Sequence, residues 1–126
     1  MTVLIFVYGT LLRGEANHPQ LSEAAFVRSA RTEARYELVD LGGYPALLED
    51  GSTAVSGEIY DVNSALLARL DMFEEVPGLY ERKPIALIGG HIEAYVMPRD
   101  RAAGASQIAD GDWRAVARAD AAKSGG

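Results

Sequence analysis

The chain contains no cysteine. Disulfides, thiolate nucleophiles and cysteine-held metal sites are therefore excluded. Histidine is almost as scarce. His18 and His91 are the only two, they lie far apart, and no H-x-x-x-H spacing points to zinc. Positive charge is also short. With 12 Lys+Arg against 18 Asp+Glu the net charge is −6, and no dense basic cluster offsets it, which argues against a nucleic-acid partner. No hydrophobic run is long enough to cross a bilayer. The apolar start "MTVLIFVYGTLL" lacks the basic flank and the cleavage signal of a leader. It reads as a buried strand, and the default location is the cytoplasm. Neither the G-x-x-x-x-G-K-[ST] phosphate loop nor the G-x-G-x-x-G dinucleotide pattern occurs.

What remains is an ordinary globular composition, 48% hydrophobic and 24% charged over 126 residues. That length suits a single domain over 1–126, with the last residues frayed, and it suffices to bury a core. "TVLIFVYG" predicts a central strand ended by glycine. "NHPQLSEAA" predicts a short helix capped by Asn17. "FVRSARTEARYELVDLG" reads as one bent strand or two, "GGYPALLED" as a turn and a strand, and "EDGS" as a hairpin turn into the strand "TAVSGEIYDV". "LYERKPIALIGG" and "HIEAYVMPR" predict a hairpin across Gly89-Gly90. "DGDWRAVARADAAK" predicts a closing helix. Six or seven strands around one main helix imply an α+β fold with a mostly antiparallel sheet curled into a small barrel.

The main helix is "NSALLARLDMFEE", capped by Asn63 or Ser64. At about 100° per residue, Leu66, Leu70 and Phe73 share a face and Leu67 flanks it. Continued through the end, that wheel turns Glu74 toward the apolar edge and Glu75 toward solvent. Two carboxylates at this point are unexpected, because the last helical turn already carries partial negative charge. From position alone, Glu74 is a boundary residue paired with an arginine, a frayed helix end turned to water, or a carboxylate held for chemistry.

"YGTLLRG" follows the first strand. Glycine at a strand end lets the chain turn and can leave a nest of unpaired N–H groups able to hold an anion. An ordinary strand-to-helix turn accounts for the same letters.

Read in order, "FVYGTLLRG", "GGYPAL", "SGEIYDV" and "LDMFEEVPGLYER" resemble the γ-glutamylcyclotransferase-like (AIG2-like) family, closest to the small branch that includes γ-glutamylamine cyclotransferase. The resemblance spans roughly residues 4 to 98. It implies a compact β-barrel with a few helices, a pocket at one side, and neither cofactor nor metal. It implies that Tyr8, Gly9, Thr10 and Leu11 line the site and bind a γ-glutamyl group largely through backbone amides. Glu74 falls on the general acid/base of an L-D-x-[FQ]-E pattern, Tyr80 on a tyrosine at the site edge, and Gly43, Tyr44 and Pro45 on a wall segment. The region after "AYVMPRD" is shorter and richer in alanine than in relatives. The implied reaction is attack of the substrate's own α-amine on its γ-carbonyl, releasing 5-oxoproline and a free amine or amino acid. Ring closure needs no enzyme nucleophile, which suits a chain without cysteine. The expected partner is thus a small γ-glutamyl compound, with no nucleic acid or membrane involved. A non-catalytic γ-glutamyl or amino-acid binding module is the alternative.

Overall fold

A computed structural model describes residues 2–116 of the chain. The first strand, β1 (Thr2–Val7), is the apolar run expected at the start, and Ile5, Phe6 and Val7 are buried. A loop and a 3₁₀ turn at His18–Leu21 follow. Then come β2 (Ala25–Arg31), β3 (Tyr36–Asp40), β4 (Pro45–Glu49) and β5 (Ser56–Asn63). Helix α1 (Ser64–Phe73) leads to β6 (Glu81–Leu87) and β7 (Gly90–Val96). A second 3₁₀ turn at Arg99–Ala102 and a two-residue strand, β8 (Ser106–Gln107), complete the sheet.

All eight strands belong to one curled sheet, ordered β2-β5-β1-β7-β4-β3-β8 with β6 on the other edge of β7. Most pairings are antiparallel, as expected. The exceptions decide where the site lies. β6 pairs antiparallel along the whole of β7 and so occupies one edge of it. The opposite edge is shared by two parallel partners in succession. β1 covers Glu93 and Ala94, and β4 takes over at Val96. The sheet therefore splits beside Tyr95, between the C-terminal end of β1 and the start of β4. The curl is a half-barrel rather than a closed one. A single bridge between Thr32 and Leu87 brings the end of β2 against β6, while β8 remains a free end.

Two local expectations need correction. "EDGS" does not make a hairpin. β4 pairs with β3 and β7, and β5 pairs with β1 and β2, because burying both faces of residues 57–60 requires central neighbours that β4 cannot provide. The helix expected after Asn17 is only a 3₁₀ turn, and Asn17 makes no cap; its amide instead donates to the Thr10 hydroxyl at 2.9 Å. Pro19 fixes the turn's first positions and too few periodic apolar residues follow to extend it. Of the two readings of "FVRSARTEARYELVDLG", the two-strand one is what forms. The closing helix starts at Trp113 and is helical to residue 116; the rest of that prediction lies outside the described residues. Among the described residues no helix is long and apolar enough to cross a membrane.

A candidate active site where the sheet splits

A cleft of about 470 Å³ opens at the split. Its floor is the end of β1 and the loop after it. One wall is the segment leading into β4, and the other is the end of α1 with the chain that follows.

Tyr8 joins the two halves of the floor. It stands one residue past β1 and is buried. Its hydroxyl donates to the Tyr95 carbonyl at 2.6 Å and accepts the Leu47 N–H at 3.3 Å. The hydroxyl thus meets the Tyr95 carbonyl and the Leu47 amide between Ala94, paired to β1, and Val96, flanked by β4. Burial first, then the nearby Tyr80 and Glu74, raise the Tyr8 pKa well above 10, so the hydroxyl stays a neutral donor. Gly9 comes next. A Cβ there would lie 2.3 Å from Pro45 Cγ, so only glycine allows the wall to close this tightly on the floor.

The loop consumes its carbonyls and spares its amides. The Gly9 carbonyl accepts from Leu12 N–H, Thr10 from Asn17 N–H, and Leu11 from the His18 ring. No hydrogen bond among the described residues uses the N–H of Gly9, Thr10 or Leu11. All three residues line the cleft.

Helix α1 delivers the carboxylate. Asn63 Oδ1 caps its start through the Leu66 N–H at 2.8 Å, and Leu66 and Leu70 dock it on the sheet. Asp71 fixes its far end. It accepts two bonds from the Arg82 guanidinium at 2.9 and 3.2 Å and one from the Tyr95 hydroxyl at 2.7 Å. Arg82 also pairs with Glu93. The helix then stops two residues sooner than the wheel assumed. Glu74 is its C-cap, and Glu75 takes a left-handed backbone at φ 55°. Val76 N–H bonds to Asp71 O and Glu75 N–H to Met72 O, the double closure of a Schellman motif with glutamate where glycine is the usual residue. Phe73 is accordingly 39% exposed at the cleft, rather than packed in the core as the wheel placed it.

Glu74 lines the cleft, half-buried, with no hydrogen bond or ion pair to its carboxylate among the described residues. Burial pushes its pKa up from 4.5 to about 7. Glu75 is exposed, as expected, but it too borders the cleft. Tyr80 is buried and lines the cleft with its ring, while its hydroxyl donates to the Pro45 carbonyl at 2.8 Å. That hydroxyl is spent on the wall. Gly43 and Tyr44 border the cleft, and Pro45 backs Gly9. Sequence reasoning missed Tyr95 and Asn17 as lining residues. Tyr95 sits inside an ordinary strand alternation, and nothing local marks the split beside it.

Among the described residues no lysine, arginine or histidine lines the cleft. Among the described residues no group of three or more His, Cys, Asp or Glu side chains is disposed to hold a metal.

Comparison with known proteins gives a consistent picture. The sequence profile of the family described as "Gamma-glutamyl cyclotransferase, AIG2-like" matches residues 5–115. A putative γ-glutamylcyclotransferase of Vibrio cholerae is 41% identical over 113 residues, covering 90% of this chain and 96% of that protein. The human γ-glutamylaminecyclotransferase is 43% identical over 88 residues, which are 63% of this chain and 58% of the longer human protein. Among solved structures, that of a uropathogenic E. coli-specific protein superposes with a TM-score of 0.83 at 29% identity, covering 93% of this chain and 96% of that one.

Proposed function

The chain belongs to the γ-glutamyl cyclotransferase, AIG2-like family, and we propose that it is a cyclotransferase that releases 5-oxoproline and a free amine from an L-γ-glutamyl compound, with Glu74 as general acid and base. One observation carries the assignment of Glu74. It is an unpartnered carboxyl with a pKa raised to about 7, in the same cleft as three unpartnered backbone amides.

The chemistry requires four events. The substrate's α-ammonium loses a proton, the amine attacks the γ-carbonyl to form a tetrahedral oxyanion, the attacking nitrogen, now cationic, gives up a second proton, and the leaving nitrogen gains a proton as the amide bond breaks. A single carboxylate can take the first proton and return it to the leaving group; the second departs with the released amine, which leaves as an ammonium. It works best with a pKa near the working pH, which desolvation gives Glu74. The substrate's α-carboxylate needs neutralising, and no cationic side chain among the described residues lines the cleft. The amides of Gly9, Thr10 and Leu11 are the available donors. Held by the carboxylate at one end and by Glu74 at the ammonium, the glutamyl chain folds into the conformer in which amine and carbonyl meet. Tyr44, 42% exposed, Phe73 and Glu75 border the mouth, where the leaving group projects. An aromatic, acidic mouth suits a neutral or cationic amine better than one with a carboxylate of its own.

The test is incubation with a panel of γ-glutamyl amines and γ-glutamyl amino acids, followed by assay for 5-oxoproline. Release from at least one compound supports the proposal. Binding without release assigns the cleft to a γ-glutamyl binding module, with Glu74 as a fixed counter-ion for the ammonium.

A further inference from the structure

A cluster of ionic hydrogen bonds around a buried carboxylate lies outside the cleft. Glu58 is 1% exposed, one of only two buried polar or charged residues among those described. It sits on β5 opposite Val7, the last residue of β1, so it stands beside the point from which the Tyr8–Gly14 loop departs. It is not among the cleft-lining residues. Four donors surround its carboxylate. Oε1 accepts the Arg13 backbone N–H at 3.0 Å and the Tyr60 hydroxyl at 3.0 Å. Oε2 accepts Arg13 Nε at 3.1 Å and Arg114 Nη2 at 2.9 Å. Arg114 Nη2 also donates to the Arg13 carbonyl at 2.8 Å. The backbone N–H and C=O of residue 13 are thus both held, one by Glu58 and the other by Arg114. Burial favours the neutral acid, but the Arg13 amide, then Arg114, the Arg13 side chain and Tyr60, outweigh it and hold the Glu58 pKa down to about 2.

We propose that the Glu58–Arg13–Arg114 cluster positions the amide loop, aiming the N–H groups of Gly9, Thr10 and Leu11 into the cleft from behind. The loop is anchored at its two ends, by Tyr8 on Tyr95 and by residue 13 on Glu58, with the three unpartnered amides between the anchors. Stability alone is a poor reason for such a cluster, because a buried ion pair commonly stabilises no better than packed apolar side chains of the same volume. An apolar residue at 58, however, leaves the Arg13 amide without an acceptor and the loop without its second anchor. Anion-binding amides must hold direction closely, since displacement of a bound group by about 1 Å can cost about 10² in rate. Arg114 adds a long-range element, tying a residue 101 positions away to the floor of the cleft.

The turnover arm of the test rests on the cyclotransferase reading; the exchange arm does not. The variants are Glu58→Gln, Arg114→Ala and Arg114→Lys in the full chain. Arg114 is about one-third exposed, so its truncation opens no core void and the fold survives even if Glu58→Gln misfolds. Arg114→Ala should speed hydrogen exchange at the amides of residues 9–13 about tenfold. It should raise KM and the inhibition constant of 5-oxoproline, which keeps the α-carboxylate, together by about tenfold, with a smaller change in kcat. Arg114→Lys should restore part of both. Glu58→Gln should show the same pattern about tenfold more strongly. The pH at which Glu74 titrates in the rate profile should not move in any of them. Wild-type exchange and KM in Arg114→Ala would overturn the proposal, as would a shifted Glu74 limb, which places the effect on the carboxylate and not on the loop. If the wild-type protein turns over no γ-glutamyl compound, the cyclotransferase reading falls, and the exchange data alone decide whether the cluster holds the loop.

Discussion

The Tyr8 hydroxyl lies 2.6 Å from the Tyr95 carbonyl and bridges the place where β7 passes from one parallel partner to the other. A side chain just past the first strand thereby ties β7 to β4 at the handover. Tyr8→Phe removes this buried donor and leaves both the Tyr95 carbonyl and the Leu47 amide without it. Each unmet group costs about 1–3 kcal/mol. Denaturant unfolding should show a loss of at least about 2 kcal/mol, and turnover should fall as the floor loosens. A stability within about 0.5 kcal/mol of wild type would mean that the two groups find other partners.

The two neighbouring glutamates should separate cleanly. Glu74→Gln keeps shape but cannot carry a proton, and loss of a general acid/base typically costs about 10²–10⁴ in rate. Glu75→Gln should stay near wild type toward a neutral leaving amine. Glu75→Gly relieves a left-handed backbone and removes charge from a helix C-terminus, and should stabilise by about 0.5–1 kcal/mol. Release of 5-oxoproline and urea unfolding check all three. Equal rate loss in Glu74→Gln and Glu75→Gln would refute the division of roles.

The raised Glu74 pKa predicts the pH dependence. In the free protein the carboxylate forms as pH rises through about 7. Accordingly kcat/KM should climb through that pH. The bound substrate ammonium favours the anion, so the corresponding limb in kcat should lie lower. A kcat/KM limb that stays near 4.5 would remove desolvation as the tuning device.

The same shift costs stability. The unfolded chain releases the Glu74 proton near 4.5 and the folded chain near 7. Below the lower value both states are protonated and there is no penalty. The penalty grows between the two values and is full above 7. Partial exposure keeps it within roughly 1–3 kcal/mol. Glu74→Gln should therefore be more stable than wild type at pH 8 and should lose that advantage by pH 4. Parallel urea titrations at the two pH values measure this difference.

Gly9→Ala should be the most damaging small substitution in the loop. Its methyl would meet Pro45 Cγ at 2.3 Å, so either the wall or the floor must move. Turnover should drop by an order of magnitude or more. Tyr80→Phe should cost less, because it removes one bond to the Pro45 carbonyl and leaves the ring in place. Near-normal turnover in Gly9→Ala would show that Pro45 yields freely.

The sequence by itself determined the elements whose signal is local. β1 was legible in a β-branched run, the β6–β7 hairpin in Gly89-Gly90, α1 in its periodicity and its Asn63 cap. The inward turn of Glu74 and the turn at Gly9 were legible too, because helix phase and strand-end glycine are properties of a few adjacent residues; that they belong to one cleft was implied only by the family resemblance. Only the tertiary structure decided what depends on distant partners. "EDGS" looks like a hairpin, but β4 and β5 are drawn apart because each finds better burial elsewhere in the sheet. The exact end of α1 went unread because its closure places a glutamate, not a glycine, at the left-handed position. The split beside Tyr95, which creates the cleft, and the contact of Glu58 with Arg13 and Arg114 carry no local signal. Both arise from pairing and packing between residues 45 to 101 positions apart, and the energy of such contacts is set by chain topology, not by any short run of letters.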